Sequence, residues 1–169
     1  KYFTNDNRNT WGKKIWSKFG VKLPPYFDPI HFDYVSDILS YYNTLSYITC
    51  SNSIGNGLLI NTETEETRIR PKNGLGGIGG KYCLPVALSN IFQFNERFPN
   101  IDIVGCGGIY NGEDVFQHIL AGACAVQVGT CLYENGISTF NKLYNELIEL
   151  MRKKGYKCLN EFKGKIKVI

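Results

Sequence analysis

The sequence has no apolar run near 18 residues long and no signal-peptide pattern at its start. Because a membrane-spanning helix needs about 20 apolar residues, we expect no membrane partner. Long runs of one charge are also missing, since the 19 basic and 15 acidic residues are scattered along the 169-residue chain. Nucleic-acid-binding proteins concentrate their positive charge, so we expect no nucleic-acid partner.

Metal-binding patterns are absent as well. The sequence has no CxxC pair and no cluster of cysteine and histidine, so we expect no metal site. Several cysteines lie in or beside apolar segments, where a free thiol behaves as a small core residue. This pattern favours reduced thiols and therefore a reducing compartment. The six cysteines are Cys50, Cys83, Cys106, Cys124, Cys131 and Cys158.

Histidine is scarce. His31 begins a predicted helix and His118 falls inside another. No Ser-His-Asp set with a recognisable spacing accompanies them. We therefore interpret both histidines as packed or surface residues rather than general bases.

Short apolar segments alternate with segments of helical periodicity. We predict strands at residues 19–23, 45–50, 101–105 and 125–128. We predict helices at residues 31–42, 86–98, 113–121 and 138–154. This alternation favours an α/β fold with a parallel sheet. Four such units make half of a (β/α)8 TIM barrel, which typically needs about 250 residues, although an open four-stranded sheet also fits.

Two segments interrupt the alternation. Residues 58–71 are polar in the middle and alternate at both ends, which predicts a β-hairpin excursion. Residues 73–80 (NGLGGIGG) hold five glycines and are predicted to form a loop that approaches a ligand closely. The opening gives no clear pattern, so we divide the chain into a leader of uncertain structure, residues 1–18, and one α/β unit, residues 19–169.

Small or polar residues stand at or just after the end of each predicted strand. In a barrel these ends meet on one face, where active sites are built from the loops. The Gly-Gly and Gly-Thr turns expose main-chain N–H groups where barrels frequently hold a phosphate, although each pair alone also suits a tight turn. The residues are Lys22, Asn52, Ser53, Gly107, Gly108, Gly129 and Thr130.

Three of these side chains carry chemistry of their own. Lys22 lies between Val21 and Leu23, which predicts a buried stem and a partner for the ammonium. A strand-end lysine that reaches solvent is the simpler alternative. Asn52 and Ser53 offer donors and acceptors to a planar, amide-rich ligand, although ordinary turn chemistry also explains them.

Several strings together resemble the class 1A dihydroorotate dehydrogenases in order and spacing. The resemblance runs from about residue 19 to residue 169, and NSIGNG and GGIGG separate class 1A from its class 1B and class 2 relatives. The strings are GVKLPPYFD (20–28), NSIGNGL (52–58), RPKNGLGGIGGKYCLP (70–85), VGCGGIYNGEDVFQHILAGA (104–123), VQVGT (126–130) and GYKCLNEFKGKI (155–166).

The resemblance implies an FMN enzyme that oxidises dihydroorotate to orotate, with fumarate as the electron acceptor. It also implies a cytoplasmic homodimer on a (β/α)8 barrel, of which this chain would be the C-terminal half. Asn52 and Ser53 match the family's substrate-binding residues. The cofactor-binding positions are Lys22, Asn52, Gly79, Gly80, Cys106, Gly107, Gly108, Gly129 and Thr130.

One part of the family pattern is missing. The catalytic base of the family is a cysteine on a mobile loop that precedes the GVKLPP string, and this sequence has no such loop. We therefore expect no catalytic residue in this chain, and we assign that role to neither Cys50 nor Cys106. Two alternatives stay open: another FMN-dependent TIM-barrel oxidoreductase, such as the dihydropyrimidine dehydrogenase relatives, or a non-catalytic half-barrel that acts as an assembly partner.

Overall fold

A computed structural model describes residues 19–168, and the leader predicted for residues 1–18 lies outside this range. Four of the eight described strands form one parallel sheet in the order β1-β2-β7-β8. The parallel α/β arrangement predicted from the sequence is therefore confirmed. The strands are β1 (Phe19–Leu23), β2 (Leu45–Cys50), β3 (Ile54–Leu58), β4 (Ile60–Asn61), β5 (Glu66–Thr67), β6 (Leu75–Ile78), β7 (Asp102–Cys106) and β8 (Ala125–Gln127).

Helices connect and cover the parallel strands. Local sequence sets their ends: the Asp28 side chain caps the first helix, Pro85 occupies the first turn of the second, and Gly155 ends the last in a left-handed conformation. No described helix has the length and apolar composition that crossing a membrane requires. The helices are α1 (Pro29–Ser40), α2 (Leu84–Arg97), α3 (Gly112–Ala121), α4 (Thr130–Asn135) and α5 (Ser138–Lys154).

The hydrophobic core lies between the helices and one face of the sheet. Ile48 and Ile103 point from the central strands into this core, where they are almost completely buried. Phe94 packs there from α2, and Phe162 stacks on Phe116 with ring centroids 4.3 Å apart. Because side chains alternate along a strand, the residues between these core positions point to the opposite face of the sheet.

An antiparallel excursion leaves the sheet after β2. β3 pairs with β6, and β4 pairs with β5 farther out. The predicted loop at residues 73–80 is therefore wrong in part, since residues 75–78 form β6. The NSIGNG string likewise contributes β3 rather than turns alone. Main-chain pairing between two glycine-containing segments overrides the low strand propensity of glycine here.

Candidate functional site

The carboxyl ends of the four parallel strands surround a cavity of about 140 Å³. All ten site residues predicted from the sequence line it, although they come from five separate segments of the chain. The fold therefore brings together site residues that lie far apart in the sequence. The ten are Lys22, Asn52, Ser53, Gly79, Gly80, Cys106, Gly107, Gly108, Gly129 and Thr130.

The turn after β7 has a backbone that only glycine adopts readily. Gly107 has φ 132° and Gly108 has φ 77°, values that L side chains rarely take. A Cβ atom on Gly108 would lie 2.5 Å from the main chain of Leu84, at the start of α2. The two glycines therefore let the turn pack against α2 while its main chain faces the cavity.

The residues that follow the turn are fixed by the cap of α3. The Asn111 side chain accepts a hydrogen bond from the Asp114 main-chain N–H at 2.8 Å. In return, Oδ2 of Asp114 accepts from the N–H groups of Tyr110 at 2.8 Å and Asn111 at 3.2 Å. This capping box holds the chain between the Gly-Gly turn and the helix in one conformation.

The opposite wall of the cavity comes from the end of the excursion. A Cβ atom on Gly79 would lie 3.2 Å from Oγ1 of Thr130, and one on Gly80 would lie 3.3 Å from the Tyr110 hydroxyl. The segment after β6 therefore approaches the start of α4 and the loop before α3. A larger cavity of about 710 Å³ continues outward from here, with Lys81 and Lys142 on its wall.

Lys22 differs from its predicted environment. The residue is exposed, so the predicted burial of its stem is wrong, and the alternative, a strand-end lysine that reaches solvent, fits the described residues. Its Nζ lies 3.5 Å from both Cys106 Sγ and Gln127 Oε1. These three side chains share the sheet face opposite the core, and the ammonium remains free to meet a ligand there.

Asn52 and Ser53 occupy the loop between β2 and β3. The Asn52 main-chain N–H donates to the carbonyl of Leu23 at 2.8 Å, which joins this loop to the end of β1. Its side-chain Oδ1 accepts from the Ser53 N–H at 2.9 Å. Both residues are exposed, so the Asn52 amide N–H groups and the Ser53 hydroxyl are available to a ligand.

Cys50 and Cys106, to neither of which we assign the role of catalytic base, have different surroundings. Cys50 is completely buried, and this burial raises the pKa of its thiol to about 12. The thiol therefore stays neutral near pH 7 and cannot accept a proton. Cys106 is half-buried and lies against the Lys22 ammonium. All six cysteines are free thiols, and the described residues contain no group of acidic, cysteine or histidine side chains that could hold a metal ion.

Six lining residues were not predicted from the sequence. Gln127 could have been found, because it is the polar position between Val126 and Val128 in the strand predicted for residues 125–128. The others are apolar or adjacent to predicted residues and carry no separate signal. The six are Ser51, Cys83, Ile109, Tyr110, Gln127 and Cys131.

A cavity at the carboxyl ends of parallel strands, lined by glycine turns, is typical of ligand-binding α/β proteins. A family model for dihydroorotate dehydrogenase matches residues 10–151. A dihydroorotate dehydrogenase (fumarate) of Trypanosoma cruzi is 53% identical over 151 residues, or 89% of this chain and 48% of the relative. The protein of the same name from Lachancea kluyveri is 55% identical over 148 residues, or 87% and 47%.

The chain therefore belongs to the dihydroorotate dehydrogenase family. It spans about half the length of the curated relatives it matches, and the matched part is their C-terminal half. A solved structure, the ligand-free DHODH of Eimeria tenella, superposes with a TM-score of 0.70 at 20% identity. That match covers 88% of this chain and 40% of the other, and it shows a shared fold.

Proposed function

We propose that this chain is the cofactor-side half of a fumarate-type dihydroorotate dehydrogenase built on a (β/α)8 barrel. The observation that carries the proposal is the convergence of ten residues from five segments on one cavity at the strand ends. The 53% and 55% identity to proteins named dihydroorotate dehydrogenase (fumarate) supports the same reading. Among the described residues the four strands form one sheet with β1 and β8 as its edge strands, which is compatible with half of a barrel.

The cavity suits FMN. The Gly-Gly turn packs closely on α2, where a Cβ at Gly108 would collide with Leu84, and the turn itself lines the cavity. Main-chain N–H groups in such a turn can bind a phosphate dianion. We assign the phosphate to Gly107 and Gly108 with Gly129 and Thr130, and we assign nearby parts of the cofactor to Gly79, Gly80 and Cys106.

Bound FMN would supply the hydride acceptor for the oxidation of dihydroorotate to orotate. Lys22 would place an ammonium near the flavin ring, where positive charge stabilises the negative charge gained on reduction. Its position beside Cys106 and Gln127 is consistent with this role. Asn52 and Ser53 would orient the substrate by hydrogen bonds to its amide and carboxylate groups.

We propose that the proton acceptor comes from outside the described part of this chain. Cys50 is excluded by its burial and raised pKa. The described chain offers no histidine at the cavity, since His31 is exposed on α1 and His118 is buried in the core. We therefore propose that the base lies on the N-terminal half of the barrel, which would also cover the sheet face that carries Lys22.

The proposal also includes the oligomeric state of the protein, its cellular location and its electron acceptor. Apolar side chains are exposed along the excursion, among them Leu58, Leu59 and Ile60, and a homodimer would bury them. Six free thiols fit a cytoplasmic protein. Fumarate would accept the electrons.

The test is product formation by the natural-length protein. We expect it to convert dihydroorotate to orotate when fumarate is supplied, and to slow at least about tenfold when Asn52→Ala removes one substrate contact. Glu63→Ala, on the exposed outer turn of the excursion, serves as the matched control and should keep the wild-type rate.

Two other outcomes separate the remaining candidates. Flavin binding without orotate formation would favour a different FMN-dependent barrel oxidoreductase. Absence of both flavin binding and turnover would favour a half-barrel that acts only as an assembly partner, and the position of β8 at an edge of the described sheet supports that alternative.

A further inference from the structure

Gln127 is a polar side chain of the cavity wall that the proposed reaction does not use. It lies on β8 and is the register partner of Cys106 on β7. Because paired residues of neighbouring strands point to the same face of a sheet, the two side chains lie next to each other. Both line the cavity at the carboxyl ends of the strands. The Gln127 amide is therefore placed to contact other groups at this cavity.

Lys22 reaches this pair from the opposite edge of the described sheet. It lies on β1, and β2 and β7 separate β1 from β8. Its Nζ nevertheless lies 3.5 Å from Gln127 Oε1 and 3.5 Å from Cys106 Sγ. The contact with Gln127 thus spans three strand spacings, each about 4.8 Å wide. Side chains of β7 and β8 therefore hold the ammonium of a residue on β1.

The charge of Lys22 has no counter-charge nearby. Lys22 is the only charged side chain among the described residues that line this cavity. It forms no ion pair with a described carboxylate. The Gln127 carbonyl oxygen and the Cys106 sulfur can both accept a hydrogen bond from the ammonium. Such neutral acceptors fix the ammonium without cancelling its charge, whereas a carboxylate at the same place would cancel it.

We propose that Gln127 is a positioning residue, whose amide oxygen holds the Lys22 ammonium over the cavity so that its charge favours the reduced flavin. The inference rests on the proposed function, because it concerns the same cofactor site. A flavin gains negative charge on reduction, so a fixed ammonium nearby stabilises the reduced form more than the oxidised form. Gln127 acts through Lys22, and the midpoint potential of the bound flavin therefore depends on it.

Two substitutions at this position test the proposal in the natural-length protein loaded with FMN. Gln127→Met keeps the length of the side chain and removes the acceptor. Gln127→Glu keeps the shape and adds a carboxylate that pairs with Lys22. Because Gln127 is exposed, neither change should disturb folding. The matched control is Gln117→Glu, the same chemical change on α3 at a position that does not line the cavity.

The measurements are the midpoint potential of the bound flavin and the dissociation constant of oxidised FMN. We expect Gln127→Glu to weaken the binding of reduced relative to oxidised FMN about tenfold, which lowers the potential by about 30 mV. Gln127→Met should have about a threefold effect, or about 15 mV. It should change the dissociation constant of oxidised FMN less than about twofold. Gln117→Glu should change the ratio less than about 1.5-fold, or about 5 mV.

A double-mutant cycle with Lys22→Met shows whether Gln127 acts through the ammonium. Lys22→Met alone should lower the potential at least as much as Gln127→Met does, because it removes the charge itself. In the Lys22→Met background, Gln127→Met should have no further effect, since two residues that act through one interaction are not additive. A role of Gln127 in packing alone would give the same change of potential in both backgrounds.

Three results would overturn the inference. A wild-type potential in Gln127→Met would mean that Lys22 needs no support from the amide. A fall in potential that persists in the Lys22→Met background would mean that Gln127 acts on the flavin directly or by packing. If the wild-type protein binds no FMN, the cofactor assignment falls and the inference with it, and this outcome is distinct from the first two, in which the flavin is bound.

Discussion

At the scale of single residues, main-chain shape at the site depends on a few positions that tolerate no side chain. Gly108 combines φ 77° with a neighbouring main chain 2.5 Å from where its Cβ would stand. Gly55, by contrast, has open space around its missing Cβ and no positive φ. The same Gly→Ala change should therefore have opposite consequences at the two positions.

We predict that Gly108→Ala destabilises the natural-length protein by about 2 to 4 kcal/mol, since strain and overpacking add. It should also abolish tight FMN binding. The measurement is urea unfolding together with the flavin absorbance that remains after gel filtration. Gly55→Ala should be neutral or slightly stabilising. Equal stability of the two variants would contradict the described conformation of the turn.

Because His118 is buried, we predict that the free energy of unfolding depends on pH. The pKa of His118 is lowered in the folded state, so between that value and 6.5 the unfolded chain binds a proton that the folded chain does not. The contribution of neutral His118 to the free energy of unfolding is therefore fully present above about pH 6.5. It decreases as the pH falls from 6.5 towards the lowered pKa of His118, by at most about 1.4 kcal/mol per pH unit.

The measurement is the free energy of unfolding between about pH 7.5 and 5.5, a range above most carboxyl titration. His118→Gln should remove part of the slope, and His31→Gln, at an exposed position, should leave it unchanged. A slope that survives His118→Gln would assign the pH dependence to other groups.

At the scale of elements, the cap of α3 links helix stability to the site. Asp114 accepts from two N–H groups in the loop that follows the Gly-Gly turn. We predict that Asp114→Ala lowers the free energy of unfolding by about 1 to 2 kcal/mol and weakens FMN binding. The adjacent, exposed Glu113 gives the control, because Glu113→Ala should cost only about 0.3 kcal/mol. The measurement is the free energy of unfolding of both variants by calorimetry. Similar decreases in the two variants would argue against the capping role of Asp114.

Elements with a strong periodic pattern could be predicted from the sequence, and elements that depend on distant partners could not. The strands at residues 19–23 and 45–50 and the helix at residues 138–154 are confirmed with their predicted bounds. β6 was predicted as a loop because its glycines give no strand signal, and only pairing with β3 makes it a strand. α4 is six residues long, too short for a helical period to show.

The same limit applies to the site. The sequence predicted its ten residues through strand ends and through family resemblance, whereas their meeting at one cavity depends on the order of the strands in the sheet. The sequence left two environments open for Lys22, a buried stem or a side chain that reaches solvent, because its flanking residues, Val21 and Leu23, pack into the core on the other face of the strand. The sequence shows which side chains alternate along a strand, but it does not show what covers each face of the sheet.

At the scale of the whole molecule, β1 and β8 are the edge strands of the sheet within the described residues, and one face of the sheet carries exposed polar residues. Open edges and exposed apolar residues promote association. We predict that the 169-residue chain prepared alone forms dimers or larger assemblies, as measured by light scattering. A natural-length protein should give one defined dimer. A stable monomer of the 169-residue chain would contradict the half-barrel account.

We propose above that this chain supplies the cofactor side of a dihydroorotate-oxidising flavin site. The most direct test is a visible absorption spectrum of the natural-length protein, taken without oxygen before and after dihydroorotate is added. We expect a flavin band that bleaches when dihydroorotate is added and returns when fumarate is added. A flavin band that stays unchanged would contradict the assigned substrate, and a protein with no flavin band after incubation with FMN would contradict the assigned cofactor site.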